Sequence, residues 1–135
     1  MGAYPAYAGL KDYKQALHHH IALLNQNKNV VIFPMGKKHT GNDFTKAKGG
    51  VAFLAQETKA PIVPVLIQGI ENFSFRSFLG RKRKLTITFG KPLSPDSIFL
   101  AQSTSTIDST RNEYEKASSV VMEKIFQLSE IKQTL

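Results

Sequence analysis

Asn29-Val30-Val31-Ile32-Phe33-Pro34-Met35-Gly36-Lys37-Lys38-His39-Thr40-Gly41 is the stretch whose reading decides the fold. Residues 30–33 are an unbroken apolar run, as expected of a central strand buried on both faces. Pro34 has no N–H to give a ladder, so pairing should stop there. The loop that follows, residues 35–46, is long enough to call for a functional explanation, and its Gly36, Gly41, Asn42 and Asp43 tolerate unusual backbone angles. Next comes a helical pattern over residues 48–58, with Val51, Leu54 and Ala55 on one face and Phe53 on its flank. A second apolar run follows, Pro61-Ile62-Val63-Pro64-Val65-Leu66-Ile67, in which Pro64 marks a sheet edge, a bulge or a strand break. Strand, basic loop, helix, strand is the order of a parallel βαβ unit, and ligands of such units sit where the strands end. The sequence therefore predicts an α/β fold: a mixed, mostly parallel sheet with flanking helices.

Working outward, residues 10–26 repeat apolar positions at spacings of three and four (Tyr13, Ala16, Leu17, His20, Ile21, Leu24), and Asp12 complements the helix dipole. His18, His19 and His20 are adjacent there. Neighbours on a helix point about 100° apart, so the three do not converge on one ion; the plainer reading is two solvated histidines and one at the edge of the core. Residues 85–89, Leu-Thr-Ile-Thr-Phe, alternate as a strand with one face buried. Residues 94–109 read as a polar loop with one short helical turn. Residues 110–131 read as an amphipathic helix burying Tyr114, Ala117, Val121, Ile125 and Leu128.

The 135 residues are enough for one domain with an ordinary core, so residues 1–135 are taken as a single unit. No run approaches the ~18 apolar residues of a membrane span, and the start carries no secretory leader. The absence of cysteine removes disulfides, thiolate metal sites and cysteine nucleophiles. Eighteen Lys and Arg against ten Asp and Glu give a net charge of +8, which favours anionic partners. Two places concentrate that charge. One is the loop around Lys37, Lys38 and His39, with Lys46 and Lys48 close by. The Lys48-Gly49-Gly50 entry to the helix there is either an anion site or a place where glycines allow close packing. The other is Arg76-Ser77-Phe78-Leu79-Gly80-Arg81-Lys82-Arg83-Lys84, the densest charge in the protein, where an aromatic interleaved with basic residues suits an anionic membrane surface or a nucleic acid. The alternative for that run is a solvated turn between strands.

The block from Asn29 to His39 resembles the F-P-E-G-T-R-S block of the glycerolipid acyltransferases, which acylate glycerol 3-phosphate or lysophosphatidic acid. Lys46-Ala47-Lys48-Gly49-Gly50-Val51-Ala52-Phe53-Leu54-Ala55, Ala60-Pro61-Ile62-Val63-Pro64-Val65 and Leu85-Thr86-Ile87-Thr88-Phe89-Gly90-Lys91-Pro92-Leu93 are similar to that family's later blocks, in the same order. The resemblance runs over residues 2–93. It implies transfer of an acyl group from acyl-CoA or acyl-carrier protein to a phosphorylated glycerolipid acceptor in phospholipid biosynthesis, without a metal or cofactor. The acceptor phosphate would be held by Gly36, Lys37, Lys38, His39, Lys46 and Lys48. Phe78, Arg81, Lys82, Arg83 and Lys84 would touch an anionic membrane, placing the protein in the cytoplasm, peripheral to the inner face of a membrane. In the family an aspartate five positions after a histidine orients that histidine as general base for the attacking hydroxyl.

This chain departs from that pattern where the chemistry lies. Its four histidines are followed at that spacing by Leu23, Leu24, Asn25 and Phe44, so the dyad is absent from these 135 residues. Asp43 lies four residues after His39, inside the phosphate loop, and is not promoted to a dyad. The family's glutamate is Met35. Its arginine is Lys38, which keeps the charge and loses the bidentate fork. The family's earlier arginine is also missing, Tyr7 and Ala8 standing in that region. The sequence thus reads as the acceptor-binding part of an acyltransferase domain, N-terminally incomplete and inactive alone. The alternative is a non-catalytic module that binds lipid or a protein partner. A nucleic-acid binder has only the charge in its favour, and no specific nucleic acid is expected.

Overall fold

In the computed structural model the described residues are 12–36, 47–69, 85–102 and 112–130. They form five helices, α1 (Tyr13–Ala16), α2 (His18–Asn25), α3 (Gly50–Thr58), α4 (Pro95–Gln102) and α5 (Glu113–Glu130), and two strands, β1 (Val65–Gln68) and β2 (Thr86–Phe89).

The predicted helix over residues 10–26 is broken at Leu17, whose backbone (φ −119°, ψ 15°) leaves the helical region and serves as C-cap of α1 and N-cap of α2. Asp12 caps α1, its carboxylate accepting from the Lys14 N–H at 2.9 Å. At the other end of the chain α5 follows its expected stripe: Ala117, Val121 and Leu128 are buried, and Tyr114 and Ile125 pack against the core from its rim. Asn112 starts this helix by accepting from the Glu115 N–H at 2.9 Å.

Residues 94–102 correct the expectation of a loop with one turn, because α4 is eight residues long. Ser94 accepts from the Ser97 N–H at 3.2 Å, Pro95 occupies the first helical position and Asp96 lies in the first turn. That start signal, together with burial of Ile98, outweighs the polar composition of the segment.

The helices build the core. α3 packs against α2, α4 and α5, and its fully buried Ala52 meets Ala117 and Ser118 of α5. Small side chains there let the two helices approach closely. A second buried group, Ala16, Leu17 and Leu54, ties α1 and α2 to the other side of α3, and Ile32 touches both groups. Tyr13, Phe53 and Tyr114 interlock, with Phe53 stacked on Tyr13 at 5.4 Å and edge-on to Tyr114 at 5.5 Å.

The sheet differs from the expectation. It is two-stranded and antiparallel, with Val65 opposite Phe89 and Ile67 opposite Ile87. The mixed α/β class stands, while no parallel pairing is present among the described residues. Pro64 does break the strand: Ile62 makes an isolated bridge to Leu93, and regular pairing resumes only at Val65. Residues 30–33 form no strand, and they are not buried on both faces. Ile32 points into the core, whereas Val31 is 87% and Phe33 67% exposed. A strand is defined by its ladder, and none of the described residues pairs with this segment.

The alternation of residues 85–89 is present with its sides reversed. Thr86 and Thr88 are half-buried, and Leu85, Ile87 and Phe89 are exposed. The helices lie on the side of Ile62 and Pro64, with Leu128 of α5 against Pro64 and Gly90. Register then fixes the rest. Val65 and Ile67 share one face with Phe89 and Ile87, on which Ile67, Ile87 and Phe89 are exposed and Val65 is half-buried.

Candidate functional site

The loop expected to bind an anion begins and ends in described structure. The Gly36 N–H donates to the Phe33 carbonyl at 2.9 Å and closes a turn; the Lys48 N–H donates to the Pro34 carbonyl at 2.8 Å. The second bond brings the two feet of the loop together. Met35 and Ala47 are buried beside them and anchor the feet by packing.

Two of the six candidate phosphate ligands thereby meet. Gly36 adopts φ +67°, a left-handed conformation that costs other residues strain. The Lys48 side chain lies across it: a Cβ on Gly36 would stand 3.5 Å from Nζ and 3.6 Å from Cδ and Cε. Both backbone N–H groups here are already bonded to carbonyls, so these feet offer an anion the Lys48 ammonium and no backbone donor. Lys37, Lys38, His39 and Lys46 lie outside the described residues, as do Phe78, Arg81, Lys82, Arg83 and Lys84.

The start of α3 was open to two readings, and the structure separates them. Gly49 is buried, and a Cβ there would fall 2.6 Å from Tyr114 Cβ and 2.6 Å from the Tyr13 hydroxyl. That glycine serves close packing. The Ala52 N–H donates to the Ser118 hydroxyl at 3.3 Å, so α5 supplies a partner for one of the first-turn donors of α3. Electrostatically the same end remains positive. Lys48 precedes the helix and the first turn holds no acidic residue, so an exposed ammonium sits at the positive end of a dipole. An anion placed there would relieve that repulsion.

Ser118 escaped the sequence reading although a signal existed. It stands four residues after Tyr114 and three before Val121, hence on the buried stripe of α5, where a hydroxyl needs a partner. Met35, which the resemblance sets where that family has a glutamate, is part of the loop's first foot. It is buried as a thioether, with neither charge nor carboxylate oxygens to bring to the loop.

The histidine run sits apart from this loop in sequence, on α2. His18 and His19 are exposed, with ring centroids 3.8 Å apart, and His18 Nδ1 lies 2.9 Å from the Gln15 carbonyl. His20 is buried and its Nδ1 has no partner. Burial first, and then the neighbouring His19 and His18, push its pKa below 6.5. No group of three or more potential metal ligands occurs among the described residues.

The acyltransferase family model matches residues 2–68. Over those 67 of the 135 residues the chain is similar to the acyltransferase family. The match spans the loop, both of its feet, α3 and β1, and ends before β2, so the similarity of residues 85–93 to the family's closing strand rests on the sequence blocks alone. No solved structure matches the chain. Among the described residues no helix is long and apolar enough to cross a membrane.

Proposed function

We propose that this chain forms the acceptor-binding part of a glycerolipid acyltransferase and holds the phosphate of a glycerol phosphate or lysophospholipid over Gly36. The observation that carries this is the Lys48 ammonium laid across Gly36 at the positive end of α3, in a segment similar to the acyltransferase family. Lys37, Lys38, His39 and Lys46 complete the anion site in this reading, and Gly36 keeps the floor of the site free of side-chain bulk. The acyl group comes from acyl-CoA or acyl-carrier protein, and the reaction belongs to phospholipid biosynthesis. Phe78 and Arg81, Lys82, Arg83 and Lys84 rest on the anionic inner face of a membrane from the cytoplasmic side.

Attack by the acceptor hydroxyl on a thioester carbonyl needs a base to take the hydroxyl proton as the C–O bond forms and thiolate leaves. The sequence has no histidine–aspartate pair at the required spacing. The chain alone therefore binds acceptor and turns over little or none. Titration of the purified chain with glycerol 3-phosphate tests the binding half. Lys48→Ala should weaken it about tenfold or more, the scale of one hydrogen bond to a charged group, and equal affinity of the two proteins would remove the site. For the catalytic half, acyl transfer well above a Lys38→Ala control would overturn inactivity.

Met35 favours a second reading, a non-catalytic module that binds lipid or a protein partner, because a buried thioether stands where the family has a carboxylate. Adhesion to anionic vesicles, lost in high salt and on neutralising Arg81 to Lys84, combined with no affinity for glycerol 3-phosphate, would select it.

A further inference from the structure

His20 follows two exposed histidines on α2, yet it is buried and its Nδ1 has no hydrogen-bond partner. With the proton on Nε2, that atom holds only a lone pair, which costs less to bury than a charged donor. Charging the ring turns Nδ1 into a buried N–H with no acceptor and adds a positive charge beside His19 and His18. Both penalties vanish once His20 reaches water. The charged groups of the surrounding elements offer no relief. α2 packs on α3, whose carboxylate, Glu57, lies 3.2 Å from Lys14 of α1. Beside Lys14, α1 carries Tyr13 and its cap Asp12, whose carboxylate is bonded to the Lys14 N–H. Lys28 follows α2 and Lys59 caps α3, and both are cations. The charges that act on His20 are those of His19 and His18, and both oppose its cation.

We propose that α1 and α2 form a latch on α3, which protonation of His20 opens while the rest of the core stays closed. The latch lies along one side of α3. Tyr13 stacks on Phe53 at 5.4 Å, and its hydroxyl stands 2.6 Å from where a Cβ of Gly49 would be. Lys14 reaches Glu57, so two consecutive residues of α1 hold positions 49, 53 and 57, which share one face of α3. Leu17 is buried with Ala16 and Leu54, and Ile21 and Leu24 of α2 pack against the same group. The chain leaves the latch through Asn27, where a φ of +56° turns it out of α2. Latch and core are separable, because the main core group around Ala52, Ile98, Ala117 and Val121 contains no residue of α1 or α2. An eight-residue helix does not hold together alone in water, so a released α2 frays as well. Opening uncovers one side of Gly49, the residue after Lys48, and loosens the second foot of the basic loop. The latch is independent of whether that loop binds phosphate.

Peptide-resolved hydrogen exchange of the full chain, corrected for the intrinsic pH dependence of exchange, tests this. In the open latch His20 takes up a proton that the closed form refuses, so the latch is shut above pH 6.5 and its opening constant rises below that value. One proton allows at most about a tenfold rise per pH unit, so residues 13–25 should exchange severalfold faster at about pH 5.5 than at about pH 7.5. Exchange in α5 should not change. His20→Leu and His20→Gln are neutral at every pH, and each should abolish the acid response of residues 13–25; the second serves if the first does not fold. Replacing the exposed His18 and His19 together by Gln should retain most of it. In the unsubstituted protein, the His20 imidazole resonance should titrate together with the loss of protection. Protection of residues 13–25 that does not fall with pH overturns the proposal. So does an acid response that survives in a His20 variant, or an equal loosening of α5, which would be global unfolding. A His20 ring that titrates while residues 13–25 stay protected also overturns it, since the side chain would then reach water without the latch.

Discussion

The helical side of this protein and its β side were built by the same chain to different degrees of completion. On the helical side, α3, α4 and α5 close around Ala52, Ile98, Ala117 and Val121 until each is shielded from water. On the β side, residues 30–33 pair with none of the described residues, and the two strands that do pair turn Ile87 and Phe89 outward. A helix satisfies its backbone within its own segment and needs neighbours only for one face. A strand needs another strand for its hydrogen bonds and two further layers for its faces. Among the described residues, five helical segments finish the first task and two strands do not finish the second.

That contrast can be broken most directly by cutting the same kind of side chain from each side. Ile98→Ala should lose about 2–5 kcal/mol in denaturant unfolding, since it empties a site that is only 1% exposed. Ile87→Thr should stay within about 0.5 kcal/mol. Equal losses would mean that the β face is covered within the chain. Gly49→Ala tests whether the helical side is packed as tightly as its geometry implies. The new methyl falls 2.6 Å from both Tyr114 Cβ and the Tyr13 hydroxyl, so a cost of about 1–3 kcal/mol is expected despite alanine's better helix propensity. A stabilised Gly49→Ala would transfer the glycine to the anion-binding account.

Ser118→Ala should cost about 1 kcal/mol in the same measurement, near the lower end of the penalty for orphaning a buried donor, because the bond from the Ala52 N–H is long at 3.3 Å. The smallest effect expected comes from His20. Burial, with His19 and His18 next in weight, holds its folded pKa below the ordinary 6.5, so the unfolded chain takes up a proton that the folded chain refuses. The stabilising contribution is therefore whole above pH 6.5 and falls away as pH drops from there through the depressed folded value. His20→Leu should flatten that decline in melting temperature, and an unchanged slope would assign it to other groups.

Some local signals were read correctly from the sequence, and others, such as the apolar run at residues 30–33 and the unbroken helix over residues 10–26, were not. Asp12 caps the first helix, Pro64 interrupts a strand, and the spacing of Ala117, Val121 and Leu128 gave the buried stripe of α5. The Ser94-Pro95-Asp96 start of α4 was equally legible and was outweighed by composition. At the site, Gly36 and Lys48 were named from the sequence as ligands of one anion, and they do meet. That they meet through the Lys48 N–H and the Pro34 carbonyl, and that the neighbouring Gly49 belongs to packing, depends on Tyr13 and Tyr114 from distant parts of the chain.

By itself the sequence determined the buried stripe of the last helix, the helical character of residues 50–58, the acyltransferase resemblance of residues 2–68 and the absence of a histidine–aspartate pair at the family's spacing. Each of these is written in residues a few positions apart, or in a motif. Only the tertiary structure decided which strands pair, in which direction, and which face of the ribbon meets the helices. The alternation in Leu85-Thr86-Ile87-Thr88-Phe89 states that two faces differ, and what covers each is set by elements far along the chain. Apolar run and alternation alike specify a need for cover, and neither specifies who provides it.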